Sequence, residues 1–385
     1  MSNESIVLEN NKKVKRTFWG ATAFYILIAF EFFYMASPFA VYFYGVYRPG
    51  LNFFNQSPVF GWLVSFFMPH AVIETSSSLI NMHNIIGGIL TVGGLIGFVI
   101  GASQVYYHKL ARKGAVTGGI YNYIRHPQYA SFIISSFGLL ILWPRYIVLV
   151  MFVVMLFAYY LLAKVEEGEC ERKFGESYIE YKKKTGMFLP FKLPLIEKFS
   201  LKLKSRPRRL LSMVCIFSII LAGGLGLAKF VNNYALQSLY AVYTNASATI
   251  SIGKLEKNKI ETILNIALSN TEVKSRIEAE KTSEKEKLLN YILPSEWYVA
   301  EIPMNGIGTM GYHRFSSNYD SNVYKIIFTK AEMRSENVTG KNIIQNVTTR
   351  EVIAEVWVNV SESKVIQIYD KPDNIMYDSI PVAVY

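Results

Sequence analysis

Residues 128–167 read QYASFIISSFGLLILWPRYIVLVMFVVMLFAYYLLAKVEE. Apart from Arg145, no Asp, Glu, Lys or Arg occurs in this stretch before Lys164. A single break, Trp143-Pro144-Arg145, divides it. Proline cannot continue a helix through that point, so the sequence predicts two helices, 128–143 and 145–163, folded as a tight hairpin. Two apolar runs placed back to back point to a bilayer, which a helix crosses with roughly 20 apolar residues.

Three further stretches, at about 17–37, 80–102 and 210–230, have the length and composition of spans. Just over half of the 385 residues are apolar (51 %) and 15 % are aromatic, which also favours a membrane protein over a soluble enzyme. The expected fold is an all-α polytopic membrane bundle of about five transmembrane helices over 1–230. A soluble α+β domain follows over 231–385.

The net charge of +11 is unevenly spread. Residues 1–228 hold 23 Lys or Arg against 11 Asp or Glu, whereas residues 229–385 hold 17 against 18. The basic residues sit between the apolar runs: Lys12, Lys13, Lys15 and Arg16 in the N-terminal tail, then Lys109, Arg112, Lys113 and Arg125, then 13 Lys or Arg within 164–209. The alternate segments hold only Arg48 and Arg145. The positive-inside rule therefore places the N-terminus and the first two basic loops in the cytoplasm and the C-terminal domain outside. Charge confined to such loops argues against a nucleic-acid partner, and the bilayer is the expected one.

A cleaved leader over 1–40 is the rival reading, but the long polar lead and Glu31 favour a retained helix. Segment 51–69, interrupted by Asn55, Gln56, Ser57 and Pro58, is expected to lie along the outer interface. Gly93, Gly97 and Gly101 recur every fourth residue and predict a close helix–helix approach. The cysteines, Cys170 and Cys215, are poorly placed to pair and show no metal-ligand spacing, so no metal site is expected.

Two polar motifs flank the hairpin. Before it runs Thr117-Gly-Gly-Ile-Tyr121-Asn-Tyr-Ile-Arg125-His126-Pro127-Gln128-Tyr129. After it runs Glu166-Glu167-Gly-Glu-Cys-Glu-Arg-Lys-Phe174-Gly175-Glu-Ser-Tyr178-Ile-Glu-Tyr181, closing near Phe188-Leu-Pro190. A hairpin brings its two feet together, so Arg125, His126 and Tyr129 should face Glu166 and Glu167. Singly, each motif reads as an interfacial anchor or a solvated face. Together they offer carboxylates for hydroxyls or an amine, a cationic fork and an aromatic wall.

This ordered pair resembles the isoprenylcysteine carboxyl methyltransferase and phospholipid methyltransferase superfamily, over residues 116–190 and more loosely over the preceding span. The resemblance implies a helical membrane fold binding S-adenosyl-L-methionine at the cytoplasmic face, and no Rossmann glycine fingerprint is present. By position, Val116, Tyr121, Arg125, His126, Pro127, Gln128, Tyr129, Glu166 and Glu167 are the implied cofactor-binding residues, with Gln104 a further candidate. Arg125 and His126 are the candidates for a catalytic role. Lys113 stands where the prenylcysteine enzymes resemble one another in having a histidine. Leu162 stands where they place an arginine one turn before the paired carboxylates, with Lys164 the nearest cation.

The implied activity is methyl transfer to an amphiphile, either an isoprenylcysteine-like carboxylate or a lipid head group. Two other readings remain beside it: a membrane-anchored sensor on a degenerate methyltransferase scaffold, and a membrane NADPH-dependent reductase. In the C-terminal domain, 256–269 and 271–292 read as helices, while 351–360 and 364–370 read as a β-hairpin. This domain could meet an extracytoplasmic partner, and no motif in it names one.

Overall fold

The computed structural model describes residues 41–111, 114–191, 206–280, 286–305, 313–372, 377 and 381–385. The chain divides into two compact units. The first comprises 1–37, 84–142 and 148–225, and the second 38–83, 143–147 and 226–385. The first predicted span, 17–37, and Glu31 lie outside the described residues.

The first unit is built from α1 (His83–Leu110), α2 (Pro127–Leu142), α3 (Tyr146–Phe174), α4 (Glu176–Lys184) and the part of α5 (Arg206–Ser238) up to Leu225. Three helical stretches, Ser78–His108, Tyr146–Phe174 and Leu210–Ser238, are long and apolar enough to cross a membrane. Helix α2 is apolar but has only 16 residues, short for a perpendicular crossing. Among the described residues the count of full-length spans is therefore three, where the sequence suggested four in the same region. The break at Trp143-Pro144-Arg145 is real, since α2 ends at Leu142 and α3 starts at Tyr146.

The close helix pair is α1 with α2, but the glycines that make it are not all those the fourfold spacing singled out. A β-carbon on Gly94 would lie 2.4 Å from the Ser135 nitrogen, and one on Gly97 would lie 2.6 Å from Ser131 Oγ. One on Gly87 would meet Gly138 O at 3.0 Å, and one on Gly101 the Gln128 nitrogen at 3.1 Å. Gly93 faces open space. Gly87, Gly94 and Gly101 follow a seven-residue repeat, which keeps one stripe on the partner where a four-residue repeat alone drifts around the helix. Ser135 Oγ donates to Thr91 O at 3.0 Å across the seam. Helix α3 buries Phe152, Met155, Tyr159 and Ala163, whereas Leu211, Ile219 and Leu227 of α5 are exposed, as suits a lipid-facing surface.

The second unit is built on a six-stranded mixed sheet in sequence order. Its strands are β1 (Ala241–Tyr243), β2 (Ser247–Ser251), β3 (Glu286–Pro294), β4 (Val323–Met333), β5 (Val347–Asn359) and β6 (Lys364–Tyr369). Only β2 and β3 pair in parallel, and the crossover between them contains α6 (Lys257–Ser269) and α7 (Thr271–Glu280). Ile260, Ile263, Val273 and Ile277 from these helices pack on Ile292, Ile326, Phe328 and Val356 of the sheet. The β5–β6 hairpin follows the alternation in the sequence.

The helix expected over 271–292 is corrected: it ends at Glu280, and Glu286–Pro294 is strand. Short apolar runs do not distinguish a buried strand from a helix, and Asn290 to Pro294 are buried throughout as a central strand requires. Segment 51–69 makes specific bonds to the sheet domain. Asn55 Nδ2 donates to Thr348 O at 2.9 Å, and Arg334 donates to Gly61 O at 3.1 Å. Arg145 is buried, donating to Val64 O at 3.0 Å and Pro381 O at 2.6 Å.

Candidate active site

The two motifs meet within the first unit. Arg125 N donates to Gly186 O at 2.9 Å and His126 N to Met187 O at 3.1 Å, so the approach to α2 runs alongside the segment after α4. Pro127 then opens α2, where its missing donor costs no helical bond. The turn Gly119–Asn122 lies upstream, with Gly119 at φ +62°, a conformation that favours glycine.

Two adjacent glutamates have different surroundings. Glu167, 1 % exposed, is held by Arg125 Nε at 2.6 Å and Lys182 Nζ at 2.9 Å, with His126 Nε2 at 3.7 Å. Arg125 also donates to Lys182 O at 3.1 Å and to Thr185 O. Those carbonyls lie at the C-terminal end of α4, where helical acceptors lack intrahelical donors. Thus Arg125 ties the start of α2, the foot of α3 and the end of α4 to one another. Its Nε and Nη1 donors are directed at partners within the protein.

Glu166 is the accessible carboxylate, its side chain 33 % exposed. Tyr129 donates to its Oε1 at 2.5 Å, and His126 Nδ1 lies 3.5 Å from its Oε2. His126 stacks on Tyr129 at 5.5 Å and Tyr129 on Tyr159 at 5.1 Å, forming an aromatic column beneath the carboxylate. Burial disfavours a charged His126, but Glu166 and Glu167 more than offset this and raise its pKa above the ordinary value. Tyr121 is buried, and that burial raises its phenol pKa. It donates to Gln128 Oε1 at 2.5 Å and accepts, at its carbonyl, the Tyr181 hydroxyl at 2.7 Å.

Of the residues expected from sequence, Arg125, His126, Tyr129, Glu166 and Glu167 form this one network. Tyr121 and Gln128 form a second pair beside it. Val116 lines a cavity of about 370 Å³ with Ser103, Gln104, Tyr107, His108, Gly118 and Gly119. That volume lies in the roughly 300–1,000 Å³ range of small-molecule sites. Lys113 lies outside the described residues. Sequence reasoning missed Lys182, Thr185 and His108. The charge run 182–184 looked like surface, and only the return of α4 toward Arg125 reveals otherwise.

The phospholipid methyltransferase family model matches residues 82–177, which contain the hairpin and both flanking motifs. Among curated proteins the chain is similar, over about a quarter of its length, to protein-S-isoprenylcysteine O-methyltransferases. The Schizosaccharomyces pombe protein is 33 % identical over 104 residues, covering 26 % of this chain and 42 % of the relative. Protein B of Arabidopsis thaliana is 30 % identical over 104 residues, covering 27 % and 50 %. The Xenopus laevis protein is 31 % identical over 105 residues, covering 27 % and 34 %. The chain thus spans half or less of the length of these relatives. No solved structure matches.

Proposed function

We propose that this protein is an integral membrane methyltransferase that takes its methyl group from S-adenosylmethionine at the cytoplasmic face. The acceptor class is an amphiphile presented from the bilayer, with an isoprenylcysteine-like carboxylate or a lipid head group as the reacting end. The N-terminus and site are cytoplasmic and the C-terminal domain extracytoplasmic, in keeping with the distribution of Lys and Arg.

The observation that carries this reading is the division of labour between the paired glutamates. Glu167 neutralises Arg125 and Lys182 inside the protein. Glu166 stays accessible, aimed by Tyr129 and His126, to accept hydrogen bonds from a ligand amine or hydroxyl. The residues present also fit such a ligand at the neighbouring cavity, where Gln104 Oε1 and His108 Nδ1 are buried without a hydrogen-bond partner among the described residues. An uncompensated buried polar atom is costly, and a ligand would relieve it.

The cofactor supplies an already activated sulfonium methyl, so the protein's task is to hold two centres in line and exclude water. Arg125 and Glu167 are positioning residues in this scheme, because their bonds stay within the protein. His126 orients Glu166. The carboxylate end of an acceptor finds no arginine at position 162, where Leu162 is buried. Lys164 is 44 % exposed, lies 3.9 Å from Glu167, and is the nearest cation in sequence.

The test is calorimetric titration of the purified full chain with S-adenosylmethionine, alongside Glu166→Ala and His126→Ala. Saturable binding that both substitutions abolish supports the reading, and a labelled-methyl screen of membrane lipids and prenylcysteines then finds the acceptor. Absence of binding by folded wild-type protein would sink it.

A further inference from the structure

Segment 51–69 docks on the sheet domain and at the same time keeps an apolar patch in the open. Asn55 and Gly61 are bonded to Thr348 and Arg334, and Leu51, Val64 and Phe66 are buried. Phe53, Val59, Phe60 and Trp62 instead stand 38–70 % exposed. Phe54 joins the row, edge-on to Phe53 at 5.7 Å and to Phe60 at 6.5 Å. No Asp, Glu, Lys or Arg occurs from Pro49 to Ile73. Large apolar side chains gathered in the open mark an interaction surface.

The second unit also fixes the level of this patch, because it contains one end of each of the three long apolar helices. Trp62 lies edge-on to Tyr146 at 5.5 Å, and Phe67 packs on the same ring at 5.4 Å. Tyr146 is the first residue of the span Tyr146–Phe174. Asn232 Nδ2 of α5 donates to Phe66 O at 3.3 Å. Ser77 Oγ, just before the span Ser78–His108, donates to the Tyr234 hydroxyl at 3.0 Å. In α5 the first charged residue after the apolar run is Lys229, and Asn232 and Asn233 follow. The edge of the hydrocarbon therefore falls beside Phe66, where tryptophan and tyrosine gather in membrane proteins. Leu79 and Phe230, on the neighbouring span ends, are exposed as well.

We propose that Phe53, Val59, Phe60 and Trp62 insert into the bilayer leaflet on the sheet-domain side, roughly 5–10 Å deep, at the boundary of head groups and acyl chains. The partner is the lipid surface itself. Continuity with the exposed apolar ends of the spans favours lipid over a protein partner, and a segment without formal charge does not select the charge of the head group. The sheet domain is then seated on the membrane and not only suspended from α5. The inference rests on the integral-membrane reading and not on the methyl-transfer chemistry.

The test places one cysteine at a time on a full chain carrying Cys170→Ser and Cys215→Ser, labels it with a nitrobenzoxadiazole dye and reconstitutes it in phosphatidylcholine vesicles. Phe60→Cys and Val59→Cys probe the patch, and Ile219→Cys probes the exposed side of α5. Ser361→Cys is the aqueous control, in an exposed turn at the end of β5 away from Thr348. Lipids with a nitroxide high on the acyl chain should quench the dye at 59 and 60 about twofold, as shallow insertion requires. Aqueous iodide should quench it at 361 alone. Adding phosphatidylglycerol should change neither pattern, and a dependence on it would replace apolar insertion by charge attraction. Iodide quenching at 59 and 60 equal to that at 361, with no effect of nitroxide lipids, overturns the insertion. Protection from both quenchers overturns it too, by showing that protein covers the patch. Lipids with a nitroxide deep in the chain should quench at 219 in every case; if they do not, the membrane reading itself falls.

Discussion

Each unit of the molecule buries a carboxylate among basic side chains, Glu167 in the first and Glu301 in the second, and the two clusters are built differently. In the first unit Glu167 faces Arg125 and Lys182, which are charged at any physiological pH. In the second unit Glu301, its side chain 6 % exposed, is paired with imidazoles: His313 Nε2 at 2.6 Å and His70 Nε2 at 3.5 Å. His70 is itself packed between Phe66, at 5.6 Å, and Trp143, at 4.3 Å. The difference teaches that burial of a carboxylate has no single meaning. Arginine and lysine make a latch of permanent cations around Glu167, whereas two imidazoles hold Glu301.

The comparison is broken most severely at Arg125. Arg125→Ala leaves Glu167 buried with fewer cations and frees the Lys182 and Thr185 carbonyls. Stability should fall by about 3–5 kcal/mol, the usual cost of breaking a buried pair. Thermal unfolding in detergent reads this, and ligand binding should vanish with it. Arg125→Lys should rescue little, since one ammonium cannot span three acceptors on two elements. A melting temperature within two degrees of wild type, the shift expected from about 1–2 kcal/mol in a chain of this size, would mean that the latch does not hold the site together.

Glu301 sharpens the contrast through pH. Burial opposes its charge, but His313 and His70 outweigh burial and hold its pKa well below the usual carboxylate range. A depressed carboxylate stabilises the fold fully above its unfolded pKa, ordinarily 4.5, and that contribution is lost as pH falls through and below this value. Glu301→Gln should cost about 1–3 kcal/mol at neutral pH, from the hydrogen bonds it weakens. It should also flatten the acid limb of the stability curve below about pH 4.5, measured by near-ultraviolet dichroism. An unchanged acid limb would show that other carboxylates dominate acid unfolding.

How much of this was visible in the sequence depends on how local each signal is. The hairpin was legible because apolar length and the Pro144 break are local, and the meeting of Arg125 with the paired glutamates followed from hairpin geometry. Which glutamate serves as the latch was not legible. Adjacent helical residues point about 100° apart, so 166 and 167 must face different neighbours, but only the packed α4 reveals which faces inward. Lys182 belongs to a charge run that reads as solvated until its helix returns. Gly93 and Gly94 are alike in sequence, and only the repeat of contacts separates the seam residue from its neighbour. Strand β3 failed for the converse reason, since its Glu-Lys start mimics a helix and its apolar end carries no period. Arg145 read as a topological charge, although its guanidinium bonds carbonyls of two distant segments.

Between these effects lies Glu166→Gln, which keeps the shape of the accessible carboxylate and removes its charge. It should leave thermal stability within about 0.5 kcal/mol, as expected for a partly exposed side chain. S-adenosylmethionine affinity should fall about tenfold, from weakening one charge-assisted contact. Equal losses of stability and affinity would assign Glu166 to the latch as well and erase the distinction between the pair.

The smallest expected effect tests whether the latch depends on every cation. Lys182 Nζ bridges Glu167 at 2.9 Å and Glu171 at 2.6 Å, yet its side chain is 32 % exposed. Solvent and salt screen such a group, so Lys182→Met should cost no more than about 1 kcal/mol, far below the loss at Arg125. The aliphatic stem that methionine preserves maintains the packing, which isolates the charge. Stability of wild type should decline modestly between low and molar salt, and that of Lys182→Met should change less, because the screened contact is already absent. A loss as large as that of Arg125→Ala would make Lys182 an equal member of the latch, and Glu167 would then need both cations to remain charged inside the protein.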